Sequence, residues 1–217
     1  MHEYSLSITD YSHYFFTSFF SSDITTYSKL VIYEEDEWIL PENESLEQIW
    51  FLKQGRVKLY KDTESRPRLV KVMEGPILLG EAEIFNHQKS MVGVQAIDDC
   101  TCYVVDLKGC REQLVEDVIF LKKICASFGN KLESKVDWLL RNNRVSIRRR
   151  VAAFIQFASN KLYFQESIFE QAEYLGVSET DILTVLSDFE KVGMLSRSGT
   201  GYHIINESLL QDYAEER

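Results

Sequence analysis

The stretch "EQAEYLGVSETDILTVLSDFEKVG", residues 170–193, decides how this chain is read. It divides at Gly176, where a left-handed residue ends one helix before another begins. Ser178 stands where an N-cap is needed, and Asp181, three residues on, makes it a capping-box variant. Ala172 is small enough to let the two helices approach. Val177, Ile182, Val185 and Leu186 form the buried side, which leaves Glu179, Thr180, Leu183, Thr184 and Ser187 outside. "MLSRSGTGYHII" follows at residues 194–205 and reads as strand, Gly-Thr-Gly turn, strand. A helix-turn-helix with a trailing hairpin is the outline of a winged DNA-reading motif. Yet residues 170–193 hold six Glu or Asp and one Lys, an awkward charge for a polyanion.

The positive charge lies upstream. "RNNRVSIRRR", residues 141–150, has five Arg and no acid, whereas residues 146–217 carry seven Lys or Arg against eleven Asp or Glu. The Arg run reads as phosphate-facing charge not needed for packing; an ordinary solvated hinge is the plain alternative. "IRRRVAAFIQFASN" is a helix with Val151, Phe154, Ile155 and Ala158 on one face. "NESLLQDYAEER" reads as a short helix and a charged tail.

Further upstream, Val118, Leu121, Cys125, Phe128, Leu132, Val136 and Leu139 recur at spacings of 3, 4, 3, 4, 4 and 3. The pattern predicts a helix from Val118 to about Asn142 with one narrow apolar stripe; Lys122, Lys123, Lys131, Glu133 and Lys135 lie off it. So narrow a stripe suits a two-helix seam, and a two-fold homodimer is the economical reading. A helix laid on its own barrel is the alternative.

Between Lys29 and Asp106 the runs "KLVIY", "EWIL", "QIWFLKQ", "RVKLYKD", "LVKVM", "SMVGVQAI" and "CTCYVVDL" alternate with turn signals, which predicts an antiparallel barrel or sandwich. "IWFLKQGRVKLY" reads as a hairpin turning at Gly55. The organisation is then an α+β chain: a jelly-roll β-barrel over residues 1–110, a dimerisation helix over 111–143 and a winged helix-turn-helix over 144–217.

The chain has 217 residues and a net charge of −10. Such charge argues against loose attraction to nucleic acid or anionic membrane while leaving a local basic patch open. The aromatic start "MHEYSLSITDYSHYFFTSFF" does not read as a signal peptide. No apolar run approaches the roughly 20 residues that span a bilayer. The expectation is a cytoplasmic protein with reduced cysteines and no membrane partner. No nucleophile elbow, P-loop, metal triad or pocketed carboxylate pair is present, so an enzyme is not expected.

The order of strand barrel, long helix and winged helix-turn-helix resembles the CRP/FNR family of bacterial transcription regulators. The resemblance extends from about Lys29 to Ile205. It rests on "IWFLKQGRVKLY", on "GPILLGEAEIFNHQKSMVGVQAIDDCTCYVVD" and on "AEYLGVSETDILTVLSDFEKVGML". "RRRVAAFIQFAS" and "QAEYLGVS" look most like its YeiL-like branch. The resemblance implies a cytoplasmic homodimer that binds palindromic double-stranded DNA and, as an activator, touches RNA polymerase. The positions that correspond to its base-reading residues are Glu179, Thr180 and Thr184, and Arg148 falls where it contacts a DNA phosphate; Ser167 and Ser178 at the helix starts, and Lys191 and Arg197 toward the wing, are further candidate DNA contacts by their placement. None of Glu179, Thr180 and Thr184 can form the bidentate Arg–guanine pair, so an A·T-rich or shape-read site is expected.

In its cyclic-nucleotide-binding members the family places Gly-Glu and Arg-Ser around ribose and phosphate. Here Gly80 and Glu81 match, but Lys89-Ser90 replaces Arg-Ser, and an ammonium lacks the planar fork. The following loop is about two residues shorter than in a cyclic-AMP binder, and the helix offers Lys135 and Val136 where small hydroxyls are wanted. These departures argue against a cyclic nucleotide. Cys100, Cys102, Cys110 and Cys125 have no recognised cluster spacing and lack the N-terminal cysteine group of oxygen-sensing relatives. They read as buried small hydrophobes, with a thiol switch or an iron–sulfur cluster as the sharper alternatives. A different class remains beside all this: a barrel-plus-helix interaction module that has lost sequence-specific DNA binding.

Overall fold

The computed structural model describes residues 1–5, 14–63, 67–86, 89–142 and 145–215. The chain forms two compact units, residues 1–62 with 73–134 and residues 63–72 with 135–217.

Residues 1–106 form two antiparallel sheets. β1 (His2–Ser5), β2 (Ser28–Tyr33), β9 (Cys100–Asp106), β4 (Gln48–Gln54) and β7 (Ile77–Leu79) make one, in that order. β3 (Trp38–Leu40), β8 (Gly93–Ala96), β5 (Arg56–Lys61) and β6 (Arg68–Glu74) make the other. All seven expected strands are present, together with β1 and β7, which the pattern did not announce. The expected β4–β5 hairpin is not what forms. β4 and β5 follow one another in sequence but stand in different sheets, so the chain crosses between sheets at Gly55. That residue sits at φ 111°, and a Cβ there would lie 2.6 Å from the Cys100 sulfur, which explains why only glycine makes the crossing.

The central strands are apolar without interruption because both their faces are buried. Along β4, Ile49 and Phe51 join one core while Trp50 and Leu52 join the other. Along β9, Tyr103 and Val105 alternate with Cys102 and Val104 in the same way. One core fills the space between the sheets. The other lies under a helical layer: α1 (Tyr14–Thr17), α2 (Glu81–Asn86), α3 (Arg111–Glu116) and the start of α4 (Val118–Asn142). The aromatic N-terminal segment belongs to this second core, with Phe16 stacked on Tyr103 at 4.6 Å and Phe20 stacked on Phe120 at 5.5 Å.

The buried Asp117 fixes where α4 starts. Its carboxylate accepts from the Ile119 and Phe120 amides at 2.8 and 3.2 Å and from the Ser21 amide at 2.6 Å. Burial opposes its ionisation, but the hydrogen bonds from Ser21, Phe120 and Ile119 outweigh it and lower the pKa. Asp117→Ala is therefore expected to cost the unit about 1–2 kcal/mol at neutral pH. A folded-state pKa below the unfolded value means that this stability is present above the ordinary carboxylate range and lost as pH falls through the depressed one. Urea midpoints of the two chains, compared at pH 7 and pH 3, should converge at the lower pH.

The second unit holds α5 (Ile147–Ala158), β10 (Tyr163–Phe164), α6 (Ile168–Leu175), α7 (Glu179–Lys191), β11 (Leu195–Ser198), β12 (Gly201–Ile204) and α8 (Glu207–Glu215). Val151, Phe154, Ile155 and Ala158 are buried along α5, as the spacing predicts. The hairpin after α7 pairs Ser198 with Gly201 and gains β10 as a third strand, in the order β10-β12-β11. Among the described residues no helix is long and apolar enough to cross a membrane.

Candidate DNA-binding surface and barrel cassette

Each helix of the α6–α7 pair is closed at its start by a reciprocal cap. The Glu170 amide donates to Ser167 Oγ at 3.2 Å, and the Asp181 amide donates to Ser178 Oγ at 3.1 Å. The Glu170 and Asp181 side chains accept in return from the amides of their cap residues. Gly176 ends α6 at φ 65°, ψ 43°, so the chain turns in the left-handed conformation that Gly adopts without strain. Ile182, Val185, Leu186 and Phe189 are buried on the inner side of α7. Val177 is only half-buried, because it lies in the turn rather than on the helix face; its place in the buried set is corrected.

The outer side of α7 carries Glu179, Thr180, Leu183 and Thr184, all exposed, with Leu183 at 52%. Thr184 donates its hydroxyl to the Thr180 carbonyl at 2.8 Å, which occupies its one hydroxyl proton and leaves its methyl group and the oxygen's lone pairs. Arg148 and Lys191 converge on one carboxylate. Arg148 lies 2.6 Å and Lys191 3.3 Å from Asp188. The Arg148 hydrogen bond, then that of Lys191, holds the Asp188 carboxyl below its ordinary range. Arg197 is exposed on β11.

The Arg run is not spare charge throughout. Arg149 Nε donates to the Ala214 carbonyl at 3.0 Å near the end of α8, and Arg150 Nη1 donates to the Leu175 carbonyl at 2.9 Å at the end of α6. These two guanidiniums satisfy carbonyls that a helix end leaves without a partner, so the reading of the whole run as unneeded for packing is corrected. Arg148 alone of the three remains near the α7 surface. Asn143 and Arg144 lie outside the described residues, as do the side chains of Arg141 and Asn142.

In the first unit Glu81 and Ser90 are engaged within the chain, and Lys89 is exposed. Gly80, at φ 82°, joins β7 to α2. Glu81 opens α2, is only 3% exposed, and forms an ion pair with Lys131 of α4. Lys131 also donates to the Leu78 carbonyl at 2.7 Å. Ser90 is buried and serves the 41–44 loop: its hydroxyl donates to the Pro41 carbonyl at 2.5 Å and accepts from the Glu44 amide at 3.2 Å. Lys89 is exposed and bridges backbone to backbone with Ser45. The carboxylate and the hydroxyl that a cyclic nucleotide would need are thus held by groups of the chain itself.

Three of the four cysteines are buried. Cys100 and Cys102 lie in the core between the sheets, and Cys110 lies in the core under the helices. Burial pushes the Cys100 thiol up to about 12 and that of Cys110 up to about 11, and it raises Cys102 further in the same direction. Thiols so protonated are poor nucleophiles and poor metal ligands. Cys125 is the exposed one, on α4.

α4 has two apolar faces. Phe120 and Ile124 are at most 2% exposed and pack under the five-stranded sheet. Val118, Cys125, Phe128, Leu132 and Val136 are exposed, with Leu132 at 66%, and Leu121 is half-buried. α4 extends through Leu139, whose side chain lies outside the described residues. The periodicity identified the outer stripe and missed the inner one. Phe120, Ile124, Ser127 and Lys131 follow at spacings of 4, 3 and 4, which was the legible signal for it.

Comparison with known proteins agrees with this architecture. Residues 30–117 match the model of the cyclic nucleotide-binding domain. Over 202 residues the chain is 30% identical to the regulatory protein YeiL of Escherichia coli O157:H7, covering 93% of this chain and 92% of that one. A CRP/FNR-family transcriptional regulator from Thermus thermophilus superposes with a TM-score of 0.63 at 16% identity, over 87% of this chain and 99% of that one. A regulator of the same family from Eubacterium rectale ATCC 33656 gives 0.68 at 12% identity, over 89% and 92%.

Proposed function

Because this chain belongs to the CRP/FNR family of transcription regulators, we propose that it works as a homodimer that reads a palindromic DNA site through α7. The observation that carries the proposal is the two-sided character of that helix. Its inner side is buried and its start is capped, while Glu179, Thr180, Leu183 and Thr184 stand in the open beside a three-stranded wing. A helix so held is suited to lie in a major groove. Without an exposed arginine on this face, direct reading falls to Glu179 toward a cytosine amino group and to the Thr180 and Thr184 methyls toward thymine, which favours A·T-rich or shape-read half-sites.

Phosphate binding falls to Arg148, Lys191 and Arg197, helped by the capped starts of α6 and α7. Arg148→Ala is expected to weaken binding to every sequence alike and to lower the slope of log affinity against log salt by about one. Asp188→Asn releases both cations that it now holds and is expected to do the opposite. Titrations at several salt concentrations, with an A·T-rich and a random duplex, check both. An unchanged slope in Arg148→Ala removes Arg148 from the phosphate contacts.

The exposed stripe on α4 is the proposed dimer seam. In a parallel two-fold seam a residue of the stripe faces its own copy, so Cys125 would meet Cys125. The test uses diamide, which takes two electrons and two protons from a thiol pair and leaves a disulfide. Wild-type protein should run as a cross-linked dimer on a non-reducing gel and Cys125→Ser should not, since the other three cysteines are buried. Wild-type protein that stays monomeric on the gel contradicts this seam. For the barrel, the engagement of Glu81 and Ser90 supports a signal other than a cyclic nucleotide. An activator of this build would also touch RNA polymerase.

A further inference from the structure

We propose that the Lys131–Glu81 ion pair is a register pin: it fixes the axial position of α4 against the β7–α2 corner and so sets the seam that pairs two copies of the chain. The seam half of this statement rests on the dimer proposed above; the pin itself does not.

The inner face of α4 is held in two different ways. Near its start Phe120 and Ile124 rest in an apolar core. Such contacts are non-directional, and side chains of similar size exchange with little penalty. Two turns further on the contact is ionic. Glu81 is buried, its side chain 4% exposed, and the ammonium of Lys131 reaches both its carboxylate and the Leu78 carbonyl. A buried carboxylate is poorly tolerated without its cation, and a single ammonium satisfies it in one place only. A slide of α4 by one residue, about 1.5 Å, would break that match. An ion pair there is therefore a positional device more than a source of stability. The best-attested gain from burying such a pair is specificity of register.

Its position on the helix gives it leverage. Lys131 lies between Phe128 and Leu132, two residues of the exposed stripe, within the same turn. Cys125 is six residues back, about 9 Å along the axis. The pin therefore ties β7 and α2 to the part of α4 that two copies would share. Anything that moves the Gly80–Glu81 corner, or competes for either charge, moves the seam with it. Glu81 thus has a task inside the chain.

The experiment compares wild-type protein with Lys131→Met, which keeps most of the side-chain volume, Glu81→Gln, which keeps the shape, and the double variant. Backbone amide exchange across α4 reports the pin in each chain whether or not it dimerises. Both single variants should exchange about tenfold faster over residues 127–134 and unchanged over 120–124, and the double variant should be no worse than the more affected single. The rate of Cys125 disulfide formation with diamide should shift at least about fivefold in both singles, reporting the seam. Exchange at the wild-type rate in either single, or effects that simply add, overturns the pin. Faster exchange with unaltered cross-linking overturns its link to the seam. Wild-type protein that fails to cross-link counts against the dimer instead, and the exchange comparison still decides the pin.

Discussion

Protein carrying Leu132→Asp is expected to sediment as a monomer at micromolar concentration and to bind a palindromic site at least about a hundredfold more weakly than wild type, a loss of roughly 2.7 kcal/mol. Leu132 is 66% exposed in the single chain, so an aspartate there meets water and leaves the fold intact. In the proposed dimer the same residue faces its own copy. Two carboxylates would then share an apolar seam with no cation to satisfy them, and burying unpaired charge is costly. The prediction has a sharp internal contrast. The monomer should still unfold in one cooperative transition, with its thermal midpoint lowered by no more than loss of the dimer accounts for. Glu133→Gln, one residue further and off the stripe, should leave both untouched. Analytical ultracentrifugation beside a melting curve separates the two outcomes, and a Leu132→Asp chain that remains dimeric removes this stripe from the interface.

Phe120→Ala is the complementary case, with its large effect on the fold rather than on assembly. Phe120 is fully buried and stacks on Phe20 at 5.5 Å, within the cluster that also holds Phe16, Phe51 and Tyr103. Truncation leaves a cavity that the surrounding rings cannot fill, because the sheet fixes them from below, and a cost of about 3–5 kcal/mol is expected for the first unit. Phe128→Ala, eight residues along the same helix but on the exposed face, should cost the monomer well under about 1 kcal/mol. Urea unfolding followed by tryptophan fluorescence gives both values. Equal costs would mean that the two faces of α4 are not distinguished as described.

What could be read beforehand follows from which interactions are local. The cap at Ser178, the turn at Gly176 and the wing are each written in a few adjacent residues, and the structure has all of them. The long helix was legible to its ends, Val118 and Asn142, because a period sustained over seven turns leaves little freedom. The hairpin at Gly55 misled for the opposite reason. An unbroken apolar run states that a strand is buried on both faces but not which strand lies beside it, and two consecutive strands took places in different sheets. The aromatic start of the chain gave no period at all, yet Phe16 and Phe20 complete the core.

The candidate sites were legible as residue types and less so as partnerships. Arg148 and Asp188 are 40 positions apart, and Lys131 and Glu81 are 50 apart. No local pattern announces such pairs. Both change the reading of the residues they hold. In the proposed complex Arg148 would leave an existing carboxylate partner, Asp188, to reach DNA, and Glu81 is already held by Lys131 of α4. Arg149 and Arg150, which looked like free charge in a dense basic run, turn out to close helix ends.

The central claim is that α7 of a two-fold dimer reads DNA, and selection from a randomised duplex library at about 100 mM salt tests it most directly. The expected result is enrichment of a palindrome with A·T-rich half-sites about one helical turn, roughly 34 Å, apart, and a shift of preference at particular base pairs in Thr184→Ala. Recovery of no palindrome, even at low salt, would contradict the claim and leave the chain an interaction module built on the same fold.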